Sequence, residues 1–205
     1  MSYKKEIRFG SLTTSEIELR DILKAWVVIS IAFAIALSNG WSDFYAKFVI
    51  ASLTVGVGFL LHELGHKVVA QRYGCFAEFR SFDNMLLLAL LMSFFGFIFA
   101  APGAVMVSGR VNKTRNGMIS AAGPMVNLIL ALIFLSFIFM QLPGLFREIA
   151  YYGFVINSWL ALFNMIPFWL FDGYKVFKWS KLAYGFIAAI ALGFMLLRNF
   201  IALPN

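Results

Sequence analysis

His62, Glu63 and His66 fall within thirteen residues, FLLHELGHKVVAQ at 59–71, and the chain has no other histidine. On a helix, positions i and i+4 share a face. Both imidazoles can therefore reach one Zn²⁺, with Glu63 beside them in reach of a water on the ion. This H-E-x-x-H spacing is the pattern of a metalloprotease whose Glu is the general base. The neighbours are Leu, Phe and Val. An ionisable group at mid-membrane costs about 2.5–3.5 kcal/mol, so such groups are rare and usually functional. The plainer alternative ends the apolar segment near residue 61 and leaves the histidines interfacial, with Lys67, Arg72 and Arg80 marking the water boundary. Gly56, Gly58 and Gly65 read as packing positions, since small residues let membrane helices approach closely.

A catalytic zinc commonly takes three protein ligands and a water. With no third histidine, and Cys75 in an expected loop, the third ligand is sought among the carboxylates. Most acids lie in polar stretches. Asp172 instead ends NMIPFWLFDG, residues 164–173, after a run without charge at 149–171. Pro167 interrupts helical hydrogen bonding there and Gly173 permits a turn. Asp172 is thus expected at a broken helix end within the membrane, with an interfacial cap as the plainer reading. Should it fail, Glu78, Asp83 and Glu148 reopen the question.

HELGH at 62–66, AAGPMVN at 121–127 and NMIPFWLFDG at 164–173 together resemble the site-2 protease family, intramembrane zinc metalloproteases that cut transmembrane segments of other proteins. The three signatures occur in the family's order and span 62–173. The resemblance implies His62, His66 and Asp172 as zinc ligands and Glu63 as the catalytic glutamate. It places Asn127 and Asn164 near the site, toward substrate or oxyanion, with interhelical hydrogen bonding as their alternative. The chain departs from the family at 84–109, where a long apolar run replaces a short strand-like segment.

The surroundings that position these residues are a membrane protein's. The chain has 205 residues, 61% hydrophobic and 13% charged, with mean hydropathy +0.84, against roughly 25% charged in soluble domains. Stretches without charge at 25–42, 48–61, 84–109, 116–146, 149–171 and 182–197 mark candidate spans. The expectation is an all-α polytopic membrane protein with about five transmembrane helices and a re-entrant, strand-like segment. It forms a single domain over 1–205 with its catalytic core at about 48–173. Ser15 and Glu18 have capping-box spacing, so the first helix is expected to begin near residue 16.

Whether 84–109 crosses is decided by parity. His62 and Asp172 are expected at the C-terminal ends of their helices, and they share a metal only if both ends emerge at one depth. A single crossing by 84–109 would send Asp172 to the far side. A re-entrant 84–109 also places 14 of the 17 basic residues inside and 3 outside, whereas a spanning one gives 10 and 7. The excess of positive charge on the cytoplasmic side favours re-entry. Pro102 and Gly103 are the expected break, 104–108 an extended return, and 75–82 an ordinary interfacial loop, although either of the last two could instead add a strand to an unwound substrate.

The function expected from these residues is zinc-dependent endoproteolysis within a multi-pass cell membrane, the site toward the cytoplasm. The partners are the lipid bilayer and a transmembrane protein substrate, with no nucleic acid. A catalytically inactive zinc-binding scaffold would be expected to lose Glu63 or a ligand. A transporter would be expected to carry paired charges on several spans, and these are nearly free of charge apart from this cluster.

Overall fold

The computed structural model describes residues 6–10, 12–98 and 102–201. It opens with a hairpin of β1 (Glu6–Phe9) and β2 (Leu12–Ser15). Helix α1 (Glu16–Leu37) then begins at the expected place. Ser15 is its N-cap, its hydroxyl accepting from the Glu18 N–H at 3.2 Å. The Glu18 carboxylate is engaged elsewhere, as described below.

The helix carrying HELGH is one rod from Phe44 to Arg72, 29 residues long. It consists of α2 (Phe44–Ala51), a π-helical turn (Ser52–Gly56) and α3 (Val57–Arg72). A π-turn widens the ladder and rephases the face that follows it. The Trp26 indole N–H donates to the Ser52 carbonyl in this turn, at 3.0 Å. His62 therefore sits mid-rod, ten residues before the end, rather than at a helix terminus.

Residues 75–82 are not a loop. β3 (Phe76–Ser81) pairs antiparallel with β4 (Gly103–Ser108), Phe76 opposite Ser108 and Ser81 opposite Gly103. Between them α4 (Asp83–Ser93) runs out beside α1, and Phe94 lies in a cavity wall with Ile35, Ser38 and Trp41 at the far end of α1. The chain turns at Gly96, where φ is +78°, a value that suits glycine. The outward course thus breaks earlier than Pro102–Gly103, where β4 begins. The segment 84–109 leaves from one sheet and returns to it, the Phe82 N–H donating to the Pro102 carbonyl at 2.9 Å. Both ends of that segment thus lie in one two-stranded sheet.

α5 (Lys113–Phe139), α6 (Leu145–Asn164), α7 (Asp172–Trp179) and α8 (Lys181–Leu197) complete the chain. Three helices among the described residues are long and apolar enough to cross a membrane: Phe44–Arg72, Lys113–Phe139 and Lys181–Phe200. α1 and α6, at 22 and 20 residues, have the length of a span without joining that set. Asp172 does not end a helix. α6 stops at Asn164 and Asp172 opens α7.

Glycines set how closely the rods meet. A Cβ on Gly65 would stand 2.9 Å from Val126 Cγ2 and 3.2 Å from the Ala122 carbonyl, and one on Gly58 would stand 2.5 Å from Asn157 Oδ1. Small residues are what membrane helices use at such contacts.

Candidate metal centre

His62 and His66 project from consecutive turns of α3 toward α5. The Asn127 amide on α5 donates to the Gly58 carbonyl at 3.1 Å and to Asn157 Oδ1 at 2.9 Å. Its Oδ1 is consequently an acceptor, and it receives the Nδ1–H of His62 at 2.6 Å. His66 Nδ1 lies 2.7 Å from the Ile119 carbonyl, which can only accept, so this nitrogen also carries the proton. Both imidazoles then turn a bare Nε2 toward one point.

Ile119 belongs to the turn that precedes Pro124 inside α5. Pro124 withholds the N–H that the Ser120 carbonyl, one residue after Ile119, would otherwise receive, and so loosens that turn.

Asp172 reaches the same point from the third direction. Its Oδ2 lies 3.3 Å from His62 Nε2 and 3.1 Å from His66 Nε2, and its Oδ1 faces Lys175 Nζ at 3.7 Å. The loop 165–171 delivers it, because Gly173 packs against the end of α6. A Cβ at Gly173 would stand 2.3 Å from the Met165 carbonyl oxygen.

These three groups can hold a metal ion, and among the described residues no other cluster of His, Cys, Asp or Glu can. The two histidine nitrogens are 3.1 Å apart, so the donor triangle has edges of 3.1, 3.1 and 3.3 Å. Tetrahedral zinc with ligands at 2.0–2.1 Å needs edges of about 3.3 Å. Space for an ion is kept by Gly123, the glycine of GPMVN. A Cβ there would stand 2.5 Å from both Nε2 atoms. Three lone-pair donors facing one small space repel unless a cation lies among them, so the donor set fits zinc.

Glu63 is buried beside the triangle, and its Oε2 accepts the Val105 N–H of β4 at 2.9 Å. Of the two asparagines, Asn127 is wholly buried behind His62. Asn164, at the end of α6, gives its amide to the Leu160 carbonyl of its own helix at 2.9 Å.

Three contributors were not legible as such in the sequence. Gly123 lies in a quoted motif, but its spatial role needs the helix crossing. The Val105 N–H is backbone and has no residue signature. Glu18 read as a capping residue, yet its carboxylate is buried against Lys67 Nζ at 2.5 Å. The one hint was Lys67, a basic residue directly after His66.

No family model matches the chain. A protein of Methanocaldococcus jannaschii provisionally named a zinc metalloprotease is 38% identical over 185 residues, covering 88% of this chain and 95% of that protein. A second protein of the same organism, named a zinc metalloprotease, is 27% identical over 175 residues, covering 84% of this chain and 44% of itself. A solved structure named a site-2 protease, also from M. jannaschii, aligns over 99% of this chain and 97% of its own at 17% identity, with a TM-score of 0.41. With HELGH, GPMVN and NMIPFWLFDG meeting at one centre, and near-complete coverage of a relative at 38% identity, this membrane protein belongs to the site-2 protease family of zinc metalloproteases.

Proposed function

We propose that the chain is an intramembrane zinc endopeptidase that hydrolyses peptide bonds in transmembrane segments of other membrane proteins. His62, His66 and Asp172 hold the zinc and Glu63 is the catalytic base. The observation that carries this reading is the donor triangle of two Nε2 atoms and one carboxylate oxygen at 3.1–3.3 Å, beside the space Gly123 keeps open.

When bound, zinc polarises the scissile carbonyl and brings the pKa of its water to roughly 7. Glu63 takes a proton from the attacking water and passes it to the departing amine nitrogen. The Val105 N–H holds one Glu63 oxygen and aims the other at the reaction. Asn127 keeps the Nδ1 proton on His62, and the Ile119 carbonyl does so on His66, so that Nε2 remains the ligand atom on both rings. Lys175 turns Asp172 so that Oδ2 faces the histidines. Asn164, whose amide bonds its own helix, keeps only the substrate-side role that the family resemblance implies.

A helical substrate hides its carbonyls and must unwind to be cut. β4 can receive the unwound stretch by strand addition. The outer edge of β3 is less available, because Glu18, Asp21 and Gln71 already bond its Phe79 N–H, Ser81 N–H and Ala77 carbonyl. The topology we assign is five spans, α1, the Phe44–Arg72 rod, α5, α6 and α8, with 84–109 re-entrant. It is supported by both ends of that segment lying in one sheet and by the resulting cytoplasmic excess of basic residues. The site then opens to the cytoplasm, which supplies the water.

The deciding experiment compares wild type with Glu63→Gln on a model transmembrane substrate, with metal analysis of both. Glu63→Gln keeps its zinc and loses cleavage by about 10²–10⁴-fold, the usual contribution of acid–base catalysis. Near-wild-type cleavage by that variant would overturn the mechanism.

A further inference from the structure

Glu18 lies in the first turn of α1 and its side chain is wholly buried (0% exposed), while its partner Lys67 on α3 is 5% exposed. A buried ion pair recovers its desolvation cost only when further hydrogen bonds complete it. Here they do. Glu18 Oε2 receives Lys67 Nζ at 2.5 Å and the Thr14 hydroxyl at 2.7 Å, and Oε1 receives the Phe79 N–H at 2.9 Å. One carboxylate thus grips the HELGH helix and the outer edge of β3 together.

Across the sheet, Phe79 stands opposite Val105. Their N–H groups point to opposite edges. Phe79 donates to Glu18 and Val105 donates to Glu63. Residues 63 and 67 are one turn apart on α3, so the contacts close a ring. It runs from Glu18 to Phe79, across to Val105, to Glu63, along the helix to Lys67 and back to Glu18. The sheet has no freedom to slide along α3 without breaking a link of this ring, and the link next to the chemistry is the one that aims Glu63.

We propose that Glu18 is a positioning residue for peptide hydrolysis: by accepting the Phe79 N–H while paired with Lys67, it fixes the β3–β4 sheet at the height where the Val105 N–H orients the Glu63 carboxylate. The proposal rests on Glu63 being the catalytic base. It predicts an effect on turnover rather than on zinc or substrate binding, because Glu18 contacts none of the three donor groups.

The test uses double variants that leave no buried charge unpaired. Glu18→Leu with Lys67→Met removes the ion pair and the acceptor together. Glu18→Gln with Lys67→Met removes the charges but keeps a carbonyl oxygen for the Phe79 N–H. The Leu variant should retain its zinc and its thermal midpoint, and lose about tenfold to a hundredfold in kcat with KM changed little, as expected for an ångström-scale misplacement. The Gln variant should recover most of that loss. The proposal is overturned if the Leu variant turns over like wild type, if it loses zinc or fold, or if the Gln variant is no better than the Leu variant. Glu63→Gln is measured beside them. If it cleaves like wild type, the catalytic reading fails and takes this proposal with it. If Glu63→Gln is inactive while the Leu variant is fully active, only the positioning role falls.

Discussion

His62 and His66 hold their Nε2 atoms 3.1 Å apart, with each Nδ1–H committed to a different partner on α5. Neither ring can turn its protonated nitrogen inward without abandoning the Asn127 side chain or the Ile119 carbonyl. The arrangement is therefore preset for a cation, and the predictions follow from what fixes it.

His66→Ala and Asp172→Ala should each lose bound zinc, measured by elemental analysis of the purified protein. A chelator should abolish cleavage by wild type, and added zinc should restore it. Full zinc occupancy in Asp172→Ala would remove Asp172 from the ligand set.

Gly123→Ala should also lose zinc, although alanine is the better helix former. The added Cβ would occupy a position 2.5 Å from both Nε2 atoms. Gly185→Ala is the control, since nothing lies within 4 Å of a Cβ there. If Gly123→Ala retains metal and cleaves normally, the ion does not sit against α5.

Asn127→Leu removes the acceptor of the His62 Nδ1–H. Loss of such a partner typically weakens metal affinity by about 10–100-fold. Competition with a chromophoric chelator reads this directly. Unchanged affinity would leave Asn127 as a helix-packing residue only.

Glu18→Ala alone strands the Lys67 ammonium inside the protein. Breaking one side of a buried pair costs about 3–5 kcal/mol, seen as a lower thermal midpoint. Adding Lys67→Met should recover much of the loss. A single variant as stable as wild type would mean that water reaches Lys67.

Single cysteines at Arg80, Arg110 and Lys178, in a Cys75→Ser background, should all react with an impermeant thiol reagent from the same, cytoplasmic side. Labelling of Arg110 from the opposite face would contradict the β3–β4 register.

Much of the centre was legible because its chemistry is local. The i, i+4 spacing of His62 and His66 fixes a shared face on any helix, and an acid such as Asp172 stands out in an apolar run because burying it is costly. The parity argument pointed to the return of 84–109 through a premise the fold does not keep, because His62 lies mid-rod and Asp172 opens a helix. Tertiary structure alone decided what depends on pairing between distant segments. Residues 75–82 become a strand only because 103–108 lies alongside, and strand formation needs a partner that a single segment does not encode. The apolar length of 84–109 says nothing of a turn at Gly96. Asp172 opens a helix instead of closing one, because Gly173 packs on the Met165 carbonyl. Glu18, read locally as a helix cap, has its carboxylate drawn into the interior by Lys67, 49 residues away, since a buried charge seeks its partner in space and not along the chain.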